Sequence, residues 1–108
     1  AMCTRVLVPR TLHDRLVEKM TGFVQAVVRV GDPADPGVML GPVIRDERRR
    51  KIEEYIDSGK SQGATLATGG KRPADLPRGY FLEPTIFCNV DNTMRIAREE
   101  IFGPVLSI

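Results

Sequence analysis

Six of the fifteen positions from Val28 to Pro42 are glycine or proline: Gly31, Pro33, Pro36, Gly37, Gly41 and Pro42. Proline fixes φ and removes a donor, and glycine resists confinement, so this stretch can sustain neither helix nor strand. It must be a structured loop, and it divides the chain into two parts. Before it, Leu12, Leu16, Met20, Phe23, Val24 and Val27 recur at helical spacing. They predict an amphipathic helix with one buried face, with Thr11 as N-cap and Asp14 completing an approximate capping box. Gly22 weakens that helix by about 1 kcal/mol relative to alanine without ending it. After the loop a second helix is expected from about Arg45 to Gln62. Ile52, Tyr55 and Ile56 mark its buried side, and Gly63 is placed as its C′ residue. Its outer face offers Glu47–Lys51, Arg49–Glu53 and Arg50–Glu54 at i,i+4.

The remaining apolar runs are short and β-prone. Arg5 to Val8 is closed by Pro9, and Ala64 to Thr68 by Gly69-Gly70. Tyr80 to Val90 is interrupted by Pro84, which assigns it to an edge or a bulge. Lys71 to Gly79 reads as a polar loop, and Asp91 or Asn92 can cap a helical turn over Met94 to Arg98. Val105 to Ile108 begins another strand. Strand, helix, loop, helix, strand, strand predicts the α/β class, as a partial open and largely parallel sheet with flanking helices. A strand that begins within a few residues of Ala1 and an apolar run that stops at Ile108 are the marks of a piece cut from something longer, because domains usually begin and end in polar segments.

Composition narrows the function classes. Sixteen basic against fourteen acidic residues give a net charge of +2, too small a bias for a nucleic-acid or anionic-membrane binder. No apolar run approaches the roughly 20 residues that span a bilayer, and Val6-Leu7-Val8, flanked by Arg5 and Arg10, is too short to be read as the apolar region of a signal peptide. Cys3 and Cys88 are far apart, which argues against a disulfide framework and for a reducing cytoplasm. His13 stands alone and reads as a surface helix residue rather than a metal ligand.

The stretch Arg98-Glu99-Glu100-Ile101-Phe102-Gly103-Pro104-Val105 carries the chemistry. Two carboxylates beside an aromatic and a Gly-Pro turn can offer one ligand an acceptor for hydroxyls and a ring for a flat heterocycle. Two other segments stand in order with it: Cys3-Thr4-Arg5-Val6-Leu7-Val8-Pro9, and Val30-Gly31-Asp32-Pro33-Ala34-Asp35-Pro36 followed by Leu40-Gly41-Pro42-Val43-Ile44. A third, Gly79-Tyr80-Phe81-Leu82-Glu83-Pro84-Thr85, leads into the double glutamate. In this order and at these separations the chain resembles the aldehyde dehydrogenase superfamily along essentially its whole length.

The resemblance implies residues 1–108 of a partial catalytic domain without the dinucleotide-binding domain, drawn from a homo-oligomeric enzyme that oxidises aldehydes to acids with NAD or NADP. In such enzymes a cysteine thiolate attacks the aldehyde, hydride passes to the nicotinamide, and a glutamate-activated water hydrolyses the resulting thioester. It implies that Glu100 accepts hydrogen bonds from the nicotinamide ribose and that Phe102 lies beside the nicotinamide; Glu99, as part of a charge run, reads instead as a solvated helix end. The resemblance places the nucleophile immediately before Ala1, so Cys3 is not it; Cys3 and Cys88 are expected to be structural, Cys3 as a small buried hydrophobe. Val38 departs from the hydroxyl residue that the family's Gly-Asp-Pro loop often carries. The isolated piece is expected to lack turnover and to self-associate through cut sheet edges. The alternative is a non-enzymatic α/β binding or assembly module using Arg45, Arg48, Arg49, Arg50 and Lys51, an idea weakened by the interleaved Asp46, Glu47, Glu53 and Glu54.

Overall fold

A computed structural model describes residues 3–108. It has three helices, α1 (His13–Val27), α2 (Asp46–Ser61) and α3 (Arg95–Arg98), and three strands, β1 (Thr65–Thr68), β2 (Thr85–Cys88) and β3 (Val105–Ser107). The α/β class is as expected. The sheet order is β1-β2-β3, with β1 antiparallel to β2 and β2 parallel to β3. The sheet is therefore mixed rather than largely parallel. A parallel return needs a crossover that carries the chain back across the sheet. The helix-free segment 69–84 between β1 and β2 simply reverses direction, whereas the segment between β2 and β3 contains α3.

Pro84 does not mark an edge or a bulge: it lies just before β2, which is the central strand. The strand begins at Thr85, whose N–H donates to the Pro104 carbonyl at 2.8 Å, so the missing proline donor costs no ladder bond. The irregularity falls instead on β1, where the register with β2 shifts between Leu66 and Thr68. The expected strand at Arg5–Val8 is reduced to a single parallel bridge between Arg5 and Ser107, with Val6 N–H donating to Ser107 at 2.9 Å.

The two long helices meet the sheet differently. Ile52, Tyr55 and Ile56 of α2 are buried at the predicted i, i+3, i+4 spacing. They pack with Leu82, Phe87, Ile96, Ile101 and Val105 into one cluster, in which Phe87 is 0% exposed. Gly59, one turn further, is also buried, because its bare Cα lies against the Phe87 ring and Ile96. The helix ends as its sequence predicts. Gly63 takes φ +94°, donating to Lys60 at 3.2 Å, and Ala64 donates to Gly59 at 3.0 Å, the paired bonds of a Schellman motif.

Helix α1 departs from expectation at both its start and its face. Thr11 does not cap it; residues Arg10–Leu12 form a 3₁₀ turn anchored by Leu12 N–H on the Pro9 carbonyl at 2.9 Å. No residue of α1 is buried. Leu16, Met20 and Val24 are half-covered, while Leu12, Phe23 and Val27 of the same predicted stripe are exposed, Phe23 to 56%. Among the described residues no helix is long and apolar enough to cross a membrane.

Candidate functional site

The double-glutamate turn is built by the end of α3. Met94 N–H donates to the Asp91 carbonyl at 3.0 Å, and the Asp91 side chain accepts from Thr93 N–H and hydroxyl at 2.8 and 2.6 Å. This Asx turn precedes the helix but does not cap it: the N-cap is Met94, in extended conformation and without a side-chain cap, rather than Asp91 or Asn92 as expected. The first helical N–H, that of Arg95, donates to the Gln62 side chain at 2.8 Å, which fastens α3 to the end of α2. After Arg98 the backbone turns extended at Glu99, with φ −111° and ψ 146°.

Ile101 is buried in the cluster beneath α2, and the residues on either side of it, Glu100 and Phe102, are exposed, Phe102 to 63%. A carboxylate and a ring thus stand exposed two residues apart in a turn pinned by the buried residue between them. Two further contacts hold that turn. Gly103 packs so closely on Ile52 that a side chain at this position would collide with it. Gly103 and Val105 N–H donate two residues back, to Ile101 and Gly103, at 2.7 and 2.8 Å, which tightens the chain into successive γ-type turns. The Arg48 guanidinium lies 5.5 Å from the Phe102 ring centroid, within range of a cation–π contact. Glu100 takes part in none of the ion pairs or side-chain hydrogen bonds among the described residues, so its acceptor oxygens face solvent.

Glu99 is the exposed helix end that was expected, at the C-terminus of α3, but its carboxylate is not free. Its Oε2 accepts from the Tyr55 hydroxyl at 2.7 Å and from Arg95 Nε at 3.1 Å. The Tyr55 hydroxyl first, and Arg95 second, hold its carboxyl below the usual glutamate value. Arg95 also stacks on the Tyr55 ring, 4.4 Å from its centroid. This triangle was missed by sequence reasoning. Tyr55 and Glu99 are 44 positions apart, and no local pattern marks the pair.

The position expected for the nucleophile, before Ala1, lies outside the described residues. Cys3 is exposed, not buried, and lines an apolar groove of about 260 Å³ between α1 and the sheet with Met20, Val24, Ile86 and Leu106. The bridge at Arg5 is too short to bring this end of the chain under cover. Cys88 is buried in β2, and burial, with a smaller contribution from Asp14, pushes its thiol upward. His13 is more enclosed than a surface residue, its side chain 18% exposed, with Nδ1 2.8 Å from Asp14 and Nε2 accepting from Asn89 N–H at 3.4 Å.

The basic face of α2 is largely self-compensated. Arg49 bridges Asp46 and Glu53 at 2.6 and 2.7 Å, Arg50 pairs with Asp46 at 2.8 Å, and Lys51 pairs with Glu54 at 2.8 Å. Of the i,i+4 pairs expected, only Arg49–Glu53 forms. Arg50 pairs instead with Asp46, at the same i,i+4 spacing but in the favoured order with the acid N-terminal, and Lys51 with Glu54 at i,i+3. Arg45 reaches Glu47 at 3.7 Å, and Arg48 is engaged by Phe102.

Comparison with known proteins closes the identification. The pattern of the aldehyde dehydrogenase family matches residues 1–108. The chain is 47% identical over 107 residues to the betaine aldehyde dehydrogenase of Brucella anthropi and 45% to that of Brucella ovis, covering 97% of this chain and 22% of each relative. Its structure matches that of a Mycobacterium tuberculosis aldehyde dehydrogenase complexed with NAD+, with a TM-score of 0.92, 49% identity, and coverage of 96% of this chain and 21% of the other. A betaine aldehyde dehydrogenase from Staphylococcus aureus, also in complex with NAD+, matches with a TM-score of 0.90 at 43% identity and the same coverage. The chain thus spans about a fifth of the length of the relatives it matches. It belongs to the aldehyde dehydrogenase family.

Proposed function

We propose that these residues form part of the catalytic domain of an NAD(P)-dependent aldehyde dehydrogenase, and that their task is to hold the nicotinamide end of the dinucleotide. The observation that carries this reading is the exposed pair Glu100 and Phe102, set two residues apart around the buried anchor Ile101. NAD+ in the complexes of the matched Mycobacterium tuberculosis and Staphylococcus aureus enzymes supports the choice of ligand.

When bound, the dinucleotide supplies the hydride acceptor for oxidation of an aldehyde to an acid. The segment's contribution is orientation. The Glu100 carboxylate accepts from the two hydroxyls of a ribose, a charge-assisted pairing that fixes the sugar and through it the ring. Phe102 offers its ring as a wall that limits the tilt of the heterocycle. Holding reactants in a reactive pose is worth orders of magnitude in rate, so small displacements at this turn should be felt in turnover. The nucleophilic cysteine of this reading precedes Ala1, and Cys3 has no part in the chemistry. The enzyme is read as a cytoplasmic homo-oligomer without a nucleic-acid or membrane partner.

The test is steady-state kinetics of the polypeptide that carries this segment. Glu100→Gln and Phe102→Ala should each raise KM for NAD(P)+ by about tenfold, on the scale of one charge-assisted hydrogen bond or one lost aromatic contact. KM for the aldehyde should hold, and Cys3→Ser should keep full activity. Unchanged cofactor kinetics in both site variants would overturn the reading.

A further inference from the structure

We propose that Tyr55, Glu99 and Arg95 form a positioning clamp that sets the orientation of Glu100 toward the dinucleotide. The proposal rests on the reading of Glu100 given above and adds to it the residues that act through it. Three observations carry it.

First, the three groups close a triangle drawn from separate elements. Tyr55 comes from α2, Arg95 from α3 and Glu99 from the extended chain after it. The Tyr55 hydroxyl donates to Glu99 Oε2 at 2.7 Å, Arg95 Nε donates to the same oxygen at 3.1 Å, and the Arg95 guanidinium covers the Tyr55 ring at 4.4 Å. Each member touches the other two, so none can swing without breaking contacts to both.

Second, the foundation is rigid. Tyr55 is buried in the main cluster beside Ile52 and Ile56, and its hydroxyl is the part that reaches out of the core. The backbone of Arg95 is itself fastened to α2 by its N–H bond to Gln62 at 2.8 Å. Lys51 Nζ approaches the same ring, 5.8 Å from its centroid, so positive charge also lies on the α2 side of the clamp.

Third, the clamp sits where leverage is greatest. Glu99 directly precedes Glu100 at the point where helical backbone becomes extended, and Ile101 is buried one residue beyond Glu100. With Glu99 and Ile101 both anchored, the peptide units flanking Glu100 have little room to rotate. Its free carboxylate is then presented in one direction before the ligand arrives. Such preorganisation removes ordering cost from binding. Neither Tyr55 nor Glu99 needs to touch the ligand for this effect.

The experiment compares Tyr55→Phe, Glu99→Ala, Glu99→Gln and Glu100→Gln in the enzyme that carries this segment, reading KM for NAD(P)+, KM for the aldehyde, kcat and thermal midpoint. Tyr55→Phe keeps the ring and deletes only the donor. It and Glu99→Ala should raise cofactor KM by about three- to tenfold, with aldehyde KM unchanged, as expected from losing one hydrogen bond to a charged group. Glu99→Gln, whose amide oxygen can still accept from Tyr55, should recover part of the loss. A role in folding alone would lower the midpoint and the active fraction while leaving cofactor KM in place, and that pattern overturns the clamp. So does a normal cofactor KM in Tyr55→Phe and Glu99→Ala beside a raised one in Glu100→Gln; in that case the reading of Glu100 stands and the clamp alone fails. If Glu100→Gln itself binds cofactor normally, both fall.

Discussion

The helices on the two sides of the sheet are packed to very different degrees. On one side, α2 and α3 press Ile52, Ile56 and Ile96 against Phe87 with almost no residual exposure. On the other, α1 buries none of its residues, and an apolar groove remains between Met20 and Val24 of the helix and Ile86 and Leu106 of the sheet. The Glu99–Pro104 turn grows out of the well-packed side, with Ile101 in the cluster and Gly103 against Ile52. The lesson is that an exposed pair proposed to meet a ligand gains its precision from the density beneath it, since close-packed interiors transmit position faithfully. Cys3 and Phe23, on the loosely covered side, are as exposed as the proposed contacts but have no comparable support.

The largest expected effect sets one phenylalanine against another. Phe87→Ala should cost about 3–5 kcal/mol of unfolding free energy, because it opens a cavity in the α2 face. Phe23→Ala should stay within about 0.5 kcal/mol, as befits an exposed surface position. Chemical denaturation of the two variants measures the contrast directly, and equal losses would erase the distinction between the faces. A middle-sized effect is expected at the junction of core and turn. Gly103→Ala forces a methyl group into Ile52. It should cost about 1–3 kcal/mol by overpacking, and Ile52→Val in the same chain should relieve part of that loss.

The smallest effects are in pH. Glu99 is held below its ordinary 4.5 by Tyr55 and Arg95. Its contribution is fully present above 4.5 and is lost as pH falls through the lower folded value. Cys88, facing α1, is shifted the opposite way, above its ordinary 9.0. Its neutral form is favoured in the fold, so its contribution is complete below 9.0 and is lost as pH rises toward the higher folded value. Thermal midpoints across pH should therefore show an acid limb that Tyr55→Phe flattens and an alkaline limb that Cys88→Ala flattens. If the two substitutions affected the same limb, these assignments would be wrong.

Local chemistry made much of this fold legible. The bounds of α2, its buried triplet and the Gly63 terminus all depend on residues within a few positions of one another. What escaped was long-range. The sense of β1 against β2 depends on how segment 69–84 returns, and Pro84 suggested an edge strand because nothing local reveals that Pro104 stands opposite Thr85. The apolar stripe of α1 predicted a buried face, but periodicity shows which side is apolar and not what covers it. At the site, Glu100 and Phe102 stood out by residue type and spacing, whereas the Tyr55–Glu99 bond joins positions 44 apart and only the packed structure brings them together.

The central claim concerns where the dinucleotide meets this segment, and the four phenylalanines provide the direct measurement. In the enzyme carrying fluorophenylalanine, with signals assigned by single Phe→Leu replacements, addition of NAD+ should move the ¹⁹F resonance of Phe102 and leave that of equally accessible Phe23 in place. A shift at Phe23 with none at Phe102 would contradict the account.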